Sequence, residues 1–199
     1  MITSASSCQS TLRAGVVGLS DNWPKLTMRP VTEPVAEQPY MPEYGVGGEG
    51  WKPLPWSWAS ERLGRYRNFW VVTASREGRP HAMPVWGVWD DKEQGFAFSC
   101  APGSRKAANL RANPQVTVAG DSTVEAISIE GTATELSGSE AAEPWIEAYI
   151  KKYGPDTSPE FLRQNSIFMV TPERAFAIIE TEDEFSTRAT RWRFPGGRE

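Results

Sequence analysis

The sequence predicts a mainly β fold of the α+β type, a small barrel of six or seven antiparallel strands with two or three helices. Three observations predict it. Short segments with strand periodicity follow one another across turns of hairpin length. Helical patterns interrupt them without the regular alternation that builds a parallel sheet. The chain carries no internal repeat, and 199 residues suffice for one ordinary domain with an extension.

Residues 1–50 are rich in Pro, Gly and Ser and read as a loosely ordered extension; residues 51–199 read as the domain. A first helix follows Leu54-Pro55, with Ser57 as its N-cap and Ala59, Leu63 and Tyr66 on one face. From Asn68 the period becomes that of strands. Residues 69–74 form the first, Gly78 supports a turn, and 81–89 form the second. Pro84 cannot donate to a ladder, so it marks an edge, a bulge or a place where something other than a strand approaches, and Gly87 marks a close backbone approach or a bend. Residues 96–100 form a third strand, which breaks at Pro102-Gly103.

A short helix follows, ending at Asn113-Pro114. Strands then cover 115–120 and 124–135, and an amphipathic helix covers 140–153 with Gly154-Pro155 as its stop. A strand leads up to Val170, Thr171-Pro172 breaks it, and 175–180 form another. Asp90-Asp91 and Glu182-Asp183-Glu184 read as solvated turns. The tail alternates, with Trp192 and Phe194 on one face and Arg191 and Arg193 on the other.

The net charge of −4 argues against nucleic acid as a partner, because duplex binding needs a dominant cationic face. Cys8 and Cys100 stand far apart, and His81 is the one histidine, so neither a disulfide framework nor a metal site is expected. No apolar run has the length of a membrane span, and a cytoplasmic protein is the expectation. Familiar nucleophile, phosphate-loop and dinucleotide motifs are absent from the sequence, so no catalytic residue is assigned.

What the sequence does offer is Ser104, Arg105 and Lys106 at the opening of a helix. Free amides, the positive end of the helix dipole and side-chain donors converge at such a place and suit a phosphate. The bland reading is a solvated basic turn. A phosphate seat on a Trp-rich barrel with few acids or bases suits a cofactor that brings its own chemistry. Its aromatic ring would lie against Met83, Pro84, Val85 and Trp86, where an interrupted ladder leaves backbone groups exposed. Trp56 and Trp58 are either core anchors or pocket walls.

These residues resemble a family. The run GSRKAANLRANPQV, with the paired segments GRPHAMPV and GFAFSC, is similar to the pyridoxamine 5′-phosphate oxidase-like split β-barrel flavoproteins and their deazaflavin-using relatives. The likeness covers residues 67–136 and extends more weakly to Phe194. It implies that Arg105 and Lys106 hold a phosphate with Ser104 beside them, and that Ser99 and Cys100 line the ribityl chain. The strand from Met83 to Gly87 would meet the ring edge. The family's cofactor lies between two copies, so a homodimer is implied. The LPWSW opening, GRPHAMPVWGVW and ATRWRF look more like the branch that uses coenzyme F420. The resemblance therefore implies a hydride-transferring oxidoreductase with F420, or alternatively FMN, and an unsaturated small-molecule substrate. Trp86, Trp56 or Trp58, His81 and Trp192 would wall the substrate pocket. A non-catalytic flavin or haem carrier, with His81 as the haem ligand, is a second alternative.

Overall fold

The computed structural model describes residues 32–197. Its strands are β1 (Val35–Glu37), β2 (Phe69–Ala74), β3 (Pro80–Val85), β4 (Gly87–Asp90), β5 (Gly95–Cys100), β6 (Gln115–Gly120), β7 (Glu125–Glu135), β8 (Ser166–Ile179) and β9 (Thr190–Arg193). The helices are α1 (Trp56–Arg65), α2 (Arg105–Ala112), α3 (Glu143–Tyr153), α4 (Pro159–Arg163) and α5 (Glu182–Arg188). All strand pairs are antiparallel, and one sheet runs β1-β9-β8-β7-β6-β2-β3.

The long strand β8 is where the sheet divides. Residues 166–170 pair with β5, which carries β4, whereas residues 174–177 pair with β9. The sheet does not close: β3 pairs with β2 and leaves its other edge free. Pro80 and Pro84 fit that edge, because neither can donate to a further ladder.

The described residues hold nine strands rather than six or seven, and five helices rather than two or three. The extension supplies β1, and the expected strand 81–89 divides at Trp86 into β3 and β4, which pair with different partners. The expected break at Thr171-Pro172 is a bulge inside β8. Glu130 faces Arg174 while Gly131 faces Pro172, so Glu173 is the extra residue. Gly131 permits the close approach, since a Cβ there would lie 2.2 Å from the Thr171 carbonyl oxygen. The acidic run expected as a solvated turn opens α5, where carboxylates suit the positive end of the helix dipole. α1 starts at Trp56 with Pro55 in the cap position, so Ser57 does not cap it.

Two cores form. The first lies on the inward face of the sheet, joining Leu63 of α1 and Leu110 of α2 to Phe69, Phe96, Ile129 and Trp192. The second lies between α3, α4 and the outer face of β4, β5 and β8, around Trp145, Ile146, Leu162 and Met169. β4 is therefore buried along its whole length and β5 nearly so. Residues 32–50 were expected to be loosely ordered. They instead include β1, which extends the sheet beyond β9, with the Glu37 carboxylate accepting from Arg191 and Arg193. The remainder of the expected loose segment, Cys8 included, lies outside the described residues.

Candidate functional site

The register of the edge strand defines the site. Paired residues on neighbouring strands point to the same face. On the core side His81 pairs with Thr73, Met83 with Val71 and Val85 with Phe69. The β2 partners are buried, yet Met83 keeps 42% of its surface exposed. The difference arises because no strand covers the far side of β3. The inward face of β3 is thus left open at Met83, where the sheet does not close, while Val85 on the same face is buried. His81 lies on this face, half-buried, with its Nδ1 buried and unpartnered among the described residues.

Helix α2, packed against the neighbouring strand β2, carries the cations. Ser104 caps it, with Oγ accepting from the Ala107 amide at 3.3 Å and the carbonyl accepting from Ala108. The amides of Arg105 and Lys106 precede the first intrahelical bonds, so they remain available to a ligand. Arg105 is exposed, Lys106 is half-buried, and neither forms an ion pair among the described residues. Burial pushes the Cys100 thiol up, while a hydrogen bond with Ser104 and the Lys106 and Arg111 charges oppose that rise, so Cys100 lies close to the seat.

Arg111, at the other end of α2, was not singled out in the sequence. It grips Glu135 with two hydrogen bonds of 2.9 and 2.7 Å, and donates to the Pro102 carbonyl and to Ser166 Oγ at 2.8 Å each. The Arg111 guanidinium holds the Glu135 carboxyl down at about 2. Arg111 so fixes the Pro102-Gly103 turn that delivers the chain to Ser104. Asn109, also on α2, is buried and donates to Thr73 Oγ1 at 2.9 Å.

The remaining expected site residues divide. Ser99 and Cys100 point to opposite faces of β5: Cys100 joins the first core, and Ser99 is half-buried on the other side. Gly87 makes the expected close approach, since a Cβ there would meet Phe96 Cζ at 2.2 Å. Trp86 is 51% exposed at the β3–β4 corner. Trp56 and Trp192 are not pocket walls. They are 5% and 0% exposed, packed edge to face at 5.4 Å within the first core. Trp58 is half-buried, and one face of its ring is covered by the Arg62 guanidinium 3.9 Å away. Arg62 is itself held by Glu125.

A second polar group at the corner was also missed. Tyr153 Oη accepts from the Gly87 amide at 3.0 Å, and Lys152 Nζ donates to the Gly87 carbonyl at 3.0 Å. Burial pushes the Lys152 amine down to about 8. A signal existed: Trp145, Tyr149 and Lys152 lie at i, i+4 and i+7, placing a lysine on the buried stripe of α3. Among the described residues, no cluster of His, Cys, Asp and Glu could hold a metal, and no helix is long and apolar enough to cross a membrane.

An antiparallel sheet that divides at one strand and stays open at another, with a helix packed against β2, defines the split-barrel class of α+β domain. The model of the pyridoxamine 5′-phosphate oxidase family matches residues 59–179, and the chain belongs to that family. Among curated proteins no sequence match is found. A conserved hypothetical protein from Mycobacterium tuberculosis is structurally similar at a TM-score of 0.54 and 20% identity, over 64% of this chain and 86% of that one. HutZ, a haem storage protein from Vibrio cholerae, matches at 0.52 and 20%, over 60% and 91%. An F420 reductase matches at 0.49 and 21%, over 64% and 97%. At 20% identity the first two likenesses show the fold alone.

Proposed function

We propose that the chain is a homodimeric oxidoreductase that holds coenzyme F420, with FMN as the alternative, and passes hydride between the cofactor and an unsaturated small molecule. The observation that carries this reading is the start of α2: a capped helix whose first two amides are free and whose two cations have no carboxylate partner among the described residues. Such a group suits an anionic tail. Ser104, Arg105 and Lys106 would hold the phosphate. Ser99 would line the ribityl chain, and Cys100 would back it from the core. The backbone from Met83 to Gly87, with its ladder interrupted at Pro84, would meet the ring. When bound, the ring supplies the hydride chemistry. The chain's part is to fix the tail, orient the ring along β3 and admit a flat substrate beside Trp86 and His81.

The exposed outer face around Trp70, paired with Pro84 and Ala119, offers apolar surface for the second copy. A cytoplasmic location accords with this chemistry. The deciding experiment is a calorimetric titration of purified protein with F420 and FMN side by side. Saturable binding of F420, tighter than FMN, supports the reading; tighter FMN binding selects the alternative; binding of neither overturns both.

The unpartnered Nδ1 of His81 favours one second reading, a haem-binding protein without turnover, in keeping with the haem storage protein of similar fold. A Soret band on haem addition that His81→Ala abolishes would support it. Retention of that band in the variant would remove His81 as the ligand.

A further inference from the structure

The group at the β3–β4 corner has more donors than the protein uses. An ammonium has three N–H groups, and Lys152 spends one on the Gly87 carbonyl. Tyr153 Oη has one proton, and the carbonyls of Arg67 and Gly87 both lie within reach, at 2.8 and 2.7 Å. The tyrosine proton can serve either carbonyl, since the Gly87 oxygen has a second lone pair beside the one Lys152 uses. Two N–H groups of Lys152 are left without an acceptor among the described residues.

The charge is only partly compensated. Lys152 Nζ lies over the Phe69 and Tyr153 rings at 5.0 and 5.3 Å. Asp121 is near enough to favour the ammonium but makes no ion pair with it. The Arg67 guanidinium lies 5.9 Å from the Trp86 ring and 5.6 Å from that of Tyr153, again with no carboxylate partner among the described residues. Trp86 stacks on Tyr153 at 6.0 Å and 25°, and its Nε1 donates to Asn68 Oδ1 at 3.1 Å, which fixes an exposed indole. A half-buried ammonium with spare donors binds an anion more strongly than a fully solvated one, because charge-assisted hydrogen bonds gain as water is excluded.

We propose that Lys152, Arg67, Trp86 and Tyr153 form a binding site for the carboxylate of a planar, conjugated organic acid. Lys152 and Arg67 take the carboxylate, and the indole of Trp86 takes the flat body. A single carboxylate fits better than phosphate, because one ammonium here is partly desolvated and a dianion would shed more hydration than the site replaces. Lys152 belongs to the same corner as the ring-binding strand, so the acid would be the substrate class of the proposed oxidoreductase. That last step rests on the proposed function; the binding itself does not.

The test uses the full chain with 13C at lysine Cε, titrated with trans-cinnamate, with cinnamyl alcohol and inorganic phosphate as controls. Cinnamate is expected to shift the Lys152 resonance saturably, raise the pKa of its amine and bind at least roughly tenfold more tightly than the alcohol, the scale of one charge-assisted hydrogen bond. Arg67→Met, on an exposed side chain, should weaken cinnamate several-fold, and Lys152→Met more. Equal affinity for acid and alcohol, an unmoved Lys152 resonance, or unchanged affinity in Arg67→Met overturns the site. Phosphate binding more tightly than cinnamate overturns the organic-acid class. Cinnamate binding by a chain that binds neither F420 nor FMN keeps the site and removes the proposed function; cofactor binding without cinnamate binding does the reverse.

Discussion

Asn109 Nδ2 donates to Thr73 Oγ1 at 2.9 Å, and Thr73 Oγ1 lies 3.4 Å from the His81 carbonyl oxygen. The contact joins α2, which carries the cationic seat, to β2 and so to the edge strand β3. Both side chains are buried, Asn109 at 6% exposure and Thr73 at 2%, so removing either leaves the other without water to replace it. Asn109→Ala should cost about 1–3 kcal/mol in urea unfolding. The double variant with Thr73→Ala should cost less than the sum of the single variants, because the pair shares one bond. Full additivity would show that the contact does not couple the two elements.

Arg105→Ala with Lys106→Ala should weaken F420 or FMN binding by a few kcal/mol, since charge-assisted contacts to phosphate are worth roughly 1.5–3 kcal/mol each. The melting temperature of the cofactor-free protein should barely move, because neither residue has an ion pair to lose among the described residues. Unchanged affinity, measured by calorimetry, would remove α2 as the phosphate seat.

Much of this site could be read in the sequence because its signals are local. Ser104 before a helix, Pro84 inside a strand and Gly87 beside bulky neighbours each state a backbone requirement that needs no partner. What escaped depends on distant residues. Arg111 and Glu135 stand on different elements, and their meeting follows from the sheet order rather than from spacing. Trp192 alternates correctly in β9, but alternation cannot say whether its inward face meets a core or a cleft; Trp56 packing against it decides for the core. The expected break at Pro172 failed for a similar reason, because only the partner strand reveals that a bulge absorbs the proline.

Gly87→Ala should destabilise the fold while sparing the electrostatics of the seat. Its new Cβ would overlap the Phe96 ring and approach the Ala97 carbonyl oxygen at 2.9 Å. Phe96 is fully buried, tilted against Phe69 and stacked on Phe98, so it cannot swing away. Overpacking of this kind costs roughly 1–3 kcal/mol. The shift should also disturb the Gly87 contacts to Lys152 and Tyr153. Thermal unfolding beside a 13C spectrum of lysine would show both changes together; a variant as stable as the parent would contradict the packing argument.

The Glu135–Arg111 pair should make the fold and the seat sensitive to acid. Glu135 titrates near 2 in the folded chain against 4.5 for an ordinary glutamate. A depressed carboxyl stabilises the folded state above the ordinary value, and that stabilisation fades as pH falls from about 4.5 towards about 2. The pair is partly exposed, so its worth at neutral pH is on the order of 1 kcal/mol. Glu135→Gln should therefore lower the melting temperature at pH 7, with the gap narrowing as pH falls below about 4.5 and closing only below the folded titration at about 2. The same variant should loosen Arg111 from the Pro102 carbonyl and weaken cofactor binding at neutral pH, although Glu135 touches no part of the seat. A melting-temperature gap that persists unchanged at low pH would mean that Glu135 acts through its shape and hydrogen bonds rather than its charge.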